Sequence, residues 1–476
     1  MENRRSFIRK TTFAGTALLL AAATGNSRNK TGFESRRPPL ADRKFTSANV
    51  EAAIMRIKKD LPATKIAWLF ENCFPNTLDT TVDHTQRSGR SDTYVITGDI
   101  DAMWLRDSTA QVWPYLPLMK GDAPLQQLVA GVINRQAACI LLDPYANAFY
   151  KDTSKTSEWK KTDITDMKPG IHERKWEIDS LCYPIRLAHQ YWKLTGDTAP
   201  FDSGWKKTIA LILRTFSEQQ RKENHGPYSF QRTTAWATDG VPLGGYGYPV
   251  KPVGLICSMF RPSDDATIFP FLIPSNFFAV VSLRQAAEML HSIYHDSVLA
   301  DACETLAGEV ERALKQHALI QDPVHGRLYA YEVNGFGSYN LMDDANVPSL
   351  LSLPYLNAVR NDDPHYLATR RYILSPDNPF FFSGKAAEGT GGPHAGMNMI
   401  WPLGITMRAL TSRDREEIKK CLSMLVSNDA GTGFMHESFN KDDAGNFTRK
   451  WFAWANTLFG ELVLKLHKTD RNMLAV

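Results

Sequence analysis

Cysteine is scarce in this chain: six in 476 residues, at 73, 139, 182, 257, 303 and 421, far apart and without paired ligand spacing. That excludes a disulfide scaffold and a cysteine-built zinc site, and leaves small core residues as their expected role. No Gly-x-Gly-x-x-Gly follows a strand-like run and no phosphate-loop lysine motif occurs, so nucleotide-binding sheet folds lose their support. A Gly-x-Ser-x-Gly nucleophile elbow is missing, and so is His-Glu-x-x-His despite 12 histidines. Asn440-Lys441-Asp442-Asp443-Ala444-Gly445-Asn446 lacks the acidic spacing of a calcium loop and reads as a solvated turn. Neither a metal nor another cofactor is therefore expected. One-sided charge is lacking too: the formal net charge is +4, and residues 1–23 supply +3 of it. A remainder so close to neutral gives nucleic-acid binding no footing. Ala14–Ala23 is too short an apolar run to span a bilayer, and nothing later reads as a membrane helix, so no membrane insertion of the mature chain is expected.

Arg4-Arg5, followed by Ser6-Phe7-Ile8-Arg9-Lys10 and that small apolar run, resembles a twin-arginine export signal. The expected location is periplasmic. Gly25-Asn26-Ser27 and Glu34-Ser35-Arg36-Arg37-Pro38-Pro39 read as a flexible processing region to about residue 45. The chain thus divides into a signal and leader over 1–45 and one domain over 46–476.

Helical periodicity dominates after residue 108. Phe278, Val281, Ala286, Met289, Leu290 and Ile293 form a buried stripe in a helix expected to start near Ser275, its N-cap. Leu299, Ala302, Cys303, Leu306, Val310, Ala313 and Leu314 form another. Helix pairs are expected near 108–118 and 123–142, 179–195 and 204–218, 275–294 and 297–317, 348–359 and 364–374, and 394–410 and 413–427. Stretches near 451–467 and 47–58 would close the set, giving close to six hairpins in an all-α, two-layer ring. Strand-like pieces, Thr93–Ile96 and Leu328–Val333, are short.

Thr97-Gly98-Asp99-Ile100-Asp101-Ala102-Met103-Trp104-Leu105-Arg106-Asp107-Ser108 packs three carboxylates, an arginine and a tryptophan into twelve residues. Such groups either hydrogen-bond a polyhydroxylated ligand, with the indole stacked on a sugar, or form a buried ion-pair network. Four more polar loops sit between apolar helical stretches: His172–Ser180, Arg261–Thr267, Gly391–Pro402 and Gly433–Phe439. Many acids and aromatics without a metal pattern point to glycoside hydrolysis. An acetal needs one carboxyl to protonate the leaving oxygen and a second to activate water or attack carbon. Asp264-Asp265 places two like charges together, which raises one pKa, unless the pair caps a helix. Glu437 is a candidate base, or else a structural acid paired with Arg449 or Lys450.

In order along the chain, the Thr97–Ser108 motif, Trp176-Glu177-Ile178-Asp179-Ser180, Phe260-Arg261-Pro262-Ser263-Asp264-Asp265-Ala266 and His436-Glu437-Ser438-Phe439 resemble glycoside hydrolase family 125, bacterial exo-acting alpha-1,6-mannosidases. The resemblance implies an (α/α)6 barrel, metal independence, inversion at the anomeric carbon and an alpha-1,6-linked mannose oligosaccharide as substrate. It places the general acid on Asp264, with adjacent Asp265 not separable from it, and the base on Glu437. Inversion would set these carboxyls about 6.5–9.5 Å apart. Asp99, Asp101, Arg106, Asp107, Asp265, His394, His436 and the indoles of Trp104, Trp176 and Trp401 become binding candidates. Asp179 and Arg261 either touch the sugar or, with His172 and Glu177, orient the groups that do. N-glycans and mannan fragments are the implied sources of substrate. A helical-ring glycosidase for another alpha-linked oligosaccharide, or a non-catalytic glycan-binding protein, is the alternative.

Overall fold

The computed structural model describes residues 33–475, so the export-signal reading lies outside the described residues. The long helices are α1 (Ala48–Asp60), α2 (Lys65–Cys73), α3 (Leu105–Val112), α4 (Ala123–Leu142), α5 (Ile178–Thr195), α6 (Ser203–Gln219), α7 (Ile273–Met289), α8 (Ser297–His317), α9 (Pro364–Ile373), α10 (Pro402–Leu410), α11 (Arg415–Ser427) and α12 (Ala453–Thr469). In the inner layer α7 packs on α5, α5 on α3, α3 on α12 and α12 on α10. In the outer layer α4 packs on α6, α6 on α8, and α11 on α2. This is the double ring of an (α/α)6 barrel.

The caps follow the layers. Outer helices begin on short polar side chains that accept a first-turn N–H: Thr64 for α2, Asp122 for α4, Asp202 for α6, Asp296 for α8, Asp363 for α9 and Asp414 for α11. Inner helices begin on Trp104, Glu177, Leu272, Trp401 and Phe452, none of which caps through its side chain. Trp104, Glu177 and Trp401 lie within polar loops that the sequence marks out, and Leu272 and Phe452 follow two more. The inner helices therefore turn their positive, N–H-bearing ends toward one acid-rich rim. Two-residue strands anchor that rim: 103–104 pairs with 148–149, 271–272 with 332–333, and 399–400 with 439–440.

Several expectations need correction. Residues 348–359 are turns, not a helix. Ser349 and Ser352 bond each other's backbone, and Asp343 takes the N–H groups of Leu350 and Leu351, which diverts the bonds a helix would use. The segment nonetheless occupies the remaining inner place, where Val347 and Tyr355 meet Tyr183 of α5, Met407 of α10 and Trp454 of α12. Helix α7 starts at Ile273 with Pro274 in its first turn, so Ser275 lies inside it. Ala302 is exposed, and Ala300 and Ala307 take its place on the buried face of α8. Among the described residues α4 is long and apolar enough to cross a membrane, contrary to the sequence reading. It is mostly buried, packed on the 82–95 hairpin, where a Cβ at Gly131 would collide with Thr93.

The leader reading also fails over residues 33–45. Phe33 stacks on Trp68, whose Nε1 donates to the Glu34 carbonyl at 2.6 Å. Arg37 forks onto Asp79 (2.7 and 3.0 Å) and Glu51 (2.9 Å). Of the two arginines in this stretch of the expected processing region, Arg37 is an ion-pair partner for acids of the domain, while Arg36 is tied through its backbone N–H to Asn72 Oδ1 at 2.8 Å.

Candidate active site

Gly98, in the left-handed region at φ 68°, turns the chain back so that Thr97 bridges Ile100. The strand 103–104 then leads into α3, which puts Arg106 and Asp107 in its first turn. Arg106 is the hub of a cluster of acids. Its Nη1 donates to Glu177 Oε2 (2.6 Å) and Asp179 Oδ2 (3.2 Å), its Nη2 to Asp264 Oδ1 (3.2 Å), and its Nε faces Asp107 Oδ2 at 3.5 Å. The Arg106, Glu177 and Asp179 side chains are essentially sealed, whereas Asp264 keeps 17 % of its side chain exposed.

Asp264 sits at φ 65° in a tight turn, in which Asp264 N–H donates to the Arg261 carbonyl and Arg261 N–H to that of Asp265. The left-handed residue sends adjacent side chains to different partners. Asp264 Oδ1 also accepts from Asn147 Nδ2 (3.3 Å), and its carbonyl accepts from buried Lys175 (2.9 Å). Asp265 Oδ1 instead accepts from Thr238 Oγ1 (2.9 Å) and lies 3.6 Å from His394 Nδ1. No helix starts at Ala266, so the capping alternative for this pair fails.

Burial lifts Glu177 well above the ordinary carboxylate range and lifts Asp179 to about 6, against the pull of Arg106. For Asp264 burial also works upward, but Arg106 and Lys175 outweigh it and hold the carboxyl low.

Glu437 stands just before the 439–440 strand that anchors the rim. Its Oε2 accepts from Thr448 Oγ1 (2.8 Å), and its Oε1 lies 3.4 Å from Arg449 Nη1. Arg449 Nη2 reaches the Thr97 carbonyl (3.0 Å) and the Asp99 carboxylate. Thr97 Oγ1 in turn donates to Asp107 at 2.5 Å. A continuous run of polar contacts thus joins Glu437 to Asp264 through Arg449, Thr97, Asp107 and Arg106. The base candidate does carry the ion pair with Arg449 that its structural reading required.

Other expected residues divide. Trp104 and Trp401 are nearly buried, edge-on to His172 (5.1 Å) and His394 (6.1 Å) respectively, and no protein acceptor reaches either Nε1. Each offers an N–H donor more than a stacking face. Trp176 is a correction: it lies in the core against Tyr145 and Phe216, its Nε1 donating to the Cys257 carbonyl at 2.7 Å. Arg261 is sealed on Glu332 (2.7 Å) and supports the turn instead of facing a ligand. Asp101 is far more exposed than the rest and pairs with Lys155 at the surface. His436 is buried flat on Phe447 at 3.9 Å, donating from Nδ1 to the Arg449 carbonyl, and burial lowers its pKa.

Sequence reasoning passed over Asn147, Lys175, Thr448 and the buried pair Asp343-Asp344. Asp344 accepts from Ser263 at 2.8 Å and lies against Gly392, where a Cβ would stand 3.0 Å from its Oδ2. It also passed over Trp236, a half-exposed indole two residues before Thr238. All six cysteines are buried and unpaired. Among the described residues no group of three or more His, Cys, Asp or Glu side chains could hold a metal.

With that geometry in place, three comparisons bear on the chain. The profile of the metal-independent alpha-mannosidases, GH125, matches residues 63–464. A solved Streptococcus pneumoniae metal-independent alpha-mannosidase, in a non-productive complex with alpha-1,6-mannobiose, is 41% identical with a TM-score of 0.85, covering 90% of this chain and all of that one. The meiotically up-regulated gene 157 protein of Schizosaccharomyces pombe is 41% identical over 455 residues, 92% of this chain and 89% of that protein.

Proposed function

The chain belongs to glycoside hydrolase family 125, the metal-independent alpha-mannosidases, and from that membership we propose an inverting, exo-acting alpha-1,6-mannosidase that releases terminal mannose from N-glycan or mannan-type oligosaccharides. The linkage follows the Streptococcus pneumoniae relative, whose structure holds alpha-1,6-mannobiose and is tied to the processing of N-linked glycans. The observation that carries the chemistry is the pair of carboxyls, one partly exposed on Arg106 and one cradled by Thr448 and Arg449, joined by a run of polar contacts.

In this reading Asp264 protonates the glycosidic oxygen while Glu437 takes a proton from the water that attacks the anomeric carbon. Asp264 is preferred to Asp265 because it keeps access to solvent and belongs to the cluster around Arg106. Asp265, held by Thr238 beside His394, is assigned to binding, with its buried Oδ2 left to accept a sugar hydroxyl. The N–H groups of Trp104 and Trp401 add donors. Asp99, through Arg449, positions the base. Export to the periplasm is part of the proposal and rests on Arg4-Arg5 and the apolar run after it.

The test is proton NMR of alpha-1,6-mannobiose hydrolysis by the purified protein in metal chelator. Beta-mannose as the first product supports the substrate linkage, metal independence and inversion together. Alpha-mannose first would reject the single-displacement roles of Asp264 and Glu437. No hydrolysis by folded protein would reject the substrate and direct attention to other alpha linkages, then to glycan binding.

A further inference from the structure

Four carboxyls, those of Asp107, Glu177, Asp179 and Asp264, close on the one guanidinium of Arg106. The other charged or titratable groups facing them are few. Lys175 lies on the far side of Asp264, shared with Glu173 and Asp239, and His394 approaches from the 391–400 loop. Tyr228 stands near Glu177 with its hydroxyl donated to the Arg174 carbonyl, Arg449 faces Asp107, Tyr183 faces Asp179 and Asp107, and His172 faces Asp264. Four ionised carboxylates around one guanidinium would leave uncompensated negative charge in a largely buried cluster, which favours keeping a proton on one of them.

The contacts say where. Glu177 and Asp264 hold neighbouring nitrogens of Arg106, Nη1 at 2.6 Å and Nη2 at 3.2 Å, and two carboxyls crowded on one guanidinium are eased when one of them carries a proton. Glu177 Oε2 already accepts from Arg106 Nη1 (2.6 Å) and Ser180 Oγ (2.7 Å). Its Oε1 is buried, and no protein N–H or O–H reaches it. Asp179 Oδ1 is buried in the same way, but burial raises Glu177 further than Asp179, so Glu177 Oε1 is the oxygen left to carry the proton.

We propose that Glu177 is the proton store of the general acid, a positioning residue that holds the catalytic proton out of solvent and loads Asp264 with it. This rests on the reading of Asp264 as the acid. In the step, the Glu177 proton passes to Asp264, which delivers a proton to the glycosidic oxygen as the C1–O bond breaks and the leaving sugar departs as an alcohol. Water forms the new C1–O bond and gives its proton to Glu437. Glu437 then releases that proton to solvent, and a solvent proton returns to Glu177 by way of partly exposed Asp264, so the cycle closes on glycoside plus water. The deep carboxyl explains how an aspartate lying against an arginine and a lysine still acts as an acid. It is ionised at rest and receives its proton from behind.

The experiment compares two substrates with opposite needs. The sugar leaving group of alpha-1,6-mannobiose must be protonated; the phenolate of 2,4-dinitrophenyl alpha-mannoside leaves without it. Glu177→Gln is expected to lower kcat/KM on mannobiose by about 100-fold or more and on the dinitrophenyl glycoside by less than about threefold. Asp264→Asn should show the same split. Equal losses of Glu177→Gln on both substrates would mean a merely structural role and overturn the inference, as would unchanged mannobiose activity. Should Glu177→Gln not fold, Ser180→Ala decides. It removes a donor that stabilises ionised Glu177, so the alkaline limb of kcat/KM must move to higher pH, and an unmoved limb overturns the inference. Full mannobiose activity in Asp264→Asn would instead sink the assignment of the acid itself. A split in Asp264→Asn without one in Glu177→Gln sinks only the proton store.

Discussion

Replacing Glu437 by glutamine separates chemistry from stability with little ambiguity. The carboxylate has two partners, Thr448 Oγ1 at 2.8 Å and Arg449 Nη1 at 3.4 Å. Glutamine keeps an oxygen for Arg449, and its amide can donate to Thr448, whose hydroxyl accepts as readily as it donates. The folding cost is then about that of one charge-assisted hydrogen bond at a partly exposed site, roughly 1–2 kcal/mol. A domain of about 440 ordered residues unfolds with an entropy of roughly 0.9 kcal/mol/K, so Tm should fall by only about 1–2 °C. The catalytic loss is of another size. Removing a general base costs roughly 10²–10⁴ in rate, about 2.7–5.5 kcal/mol of barrier. The assay pairs kcat on alpha-1,6-mannobiose with thermal unfolding of the same preparation. The base acts on water, so the dinitrophenyl glycoside must slow just as much, the reverse of the pattern expected for Glu177→Gln. A loss below about tenfold with Tm unchanged would refute the role of Glu437.

Three further outcomes are expected. Arg37→Ala strips the nearly sealed Asp79 of its closest cation while leaving Arg43 at 3.7 Å; a cost of about 2–4 kcal/mol should lower Tm by about 2–4 °C, and an unchanged Tm would mean that residues 33–45 do not hold the domain. Asp343 is pushed up to about 8 by burial, so folding favours its protonated form. Its contribution is complete below about pH 4 and is lost as pH rises toward 8; denaturant unfolding at pH 5 and pH 8 should show that fall in wild type and a flatter one in Asp343→Asn. Changing Arg4 and Arg5 together to lysine should keep the protein out of the periplasmic fraction, and equal export of wild type and variant would end the twin-arginine reading.

The parts legible in the sequence are those written in local pattern. Period 3.6 located α4, α5, α6, α8, α11 and α12 to within a few residues, because each buries one broad face against a neighbouring helix. It misled at 348–359, where apolar spacing is present but Ser349, Ser352 and Asp343 divert the backbone bonds. The helix α2 went unmarked, although Thr64 caps it. Asp264 and Asp265 could not be separated, since only φ 65° at Asp264 sends one side chain to Arg106 and the other to Thr238. Trp176 shares a motif with Glu177 and Asp179, yet its indole turns into the core while they face the arginine. Asp344 left no local signature because its partners, Ser263 and Gly392, come from distant loops.

What joins these cases is the way the inner helices enter the barrel. A first helical turn needs acceptors for its free N–H groups, and at the outer ends Asp or Thr side chains supply them. At the inner ends Trp104, Glu177, Leu272, Trp401 and Phe452 supply none through their side chains. Partial positive charge thus gathers where Asp107, Glu177, Asp179, Asp264 and Glu437 are held. Capping residues at those five positions would have steadied each helix but consumed the field that helps hold so many carboxyls on one rim. The same omission explains why the polar loops stand out in the sequence. At four of those five starts an acid or an aromatic stands in place of the usual helix-start residue, and that substitution is a local mark of the site.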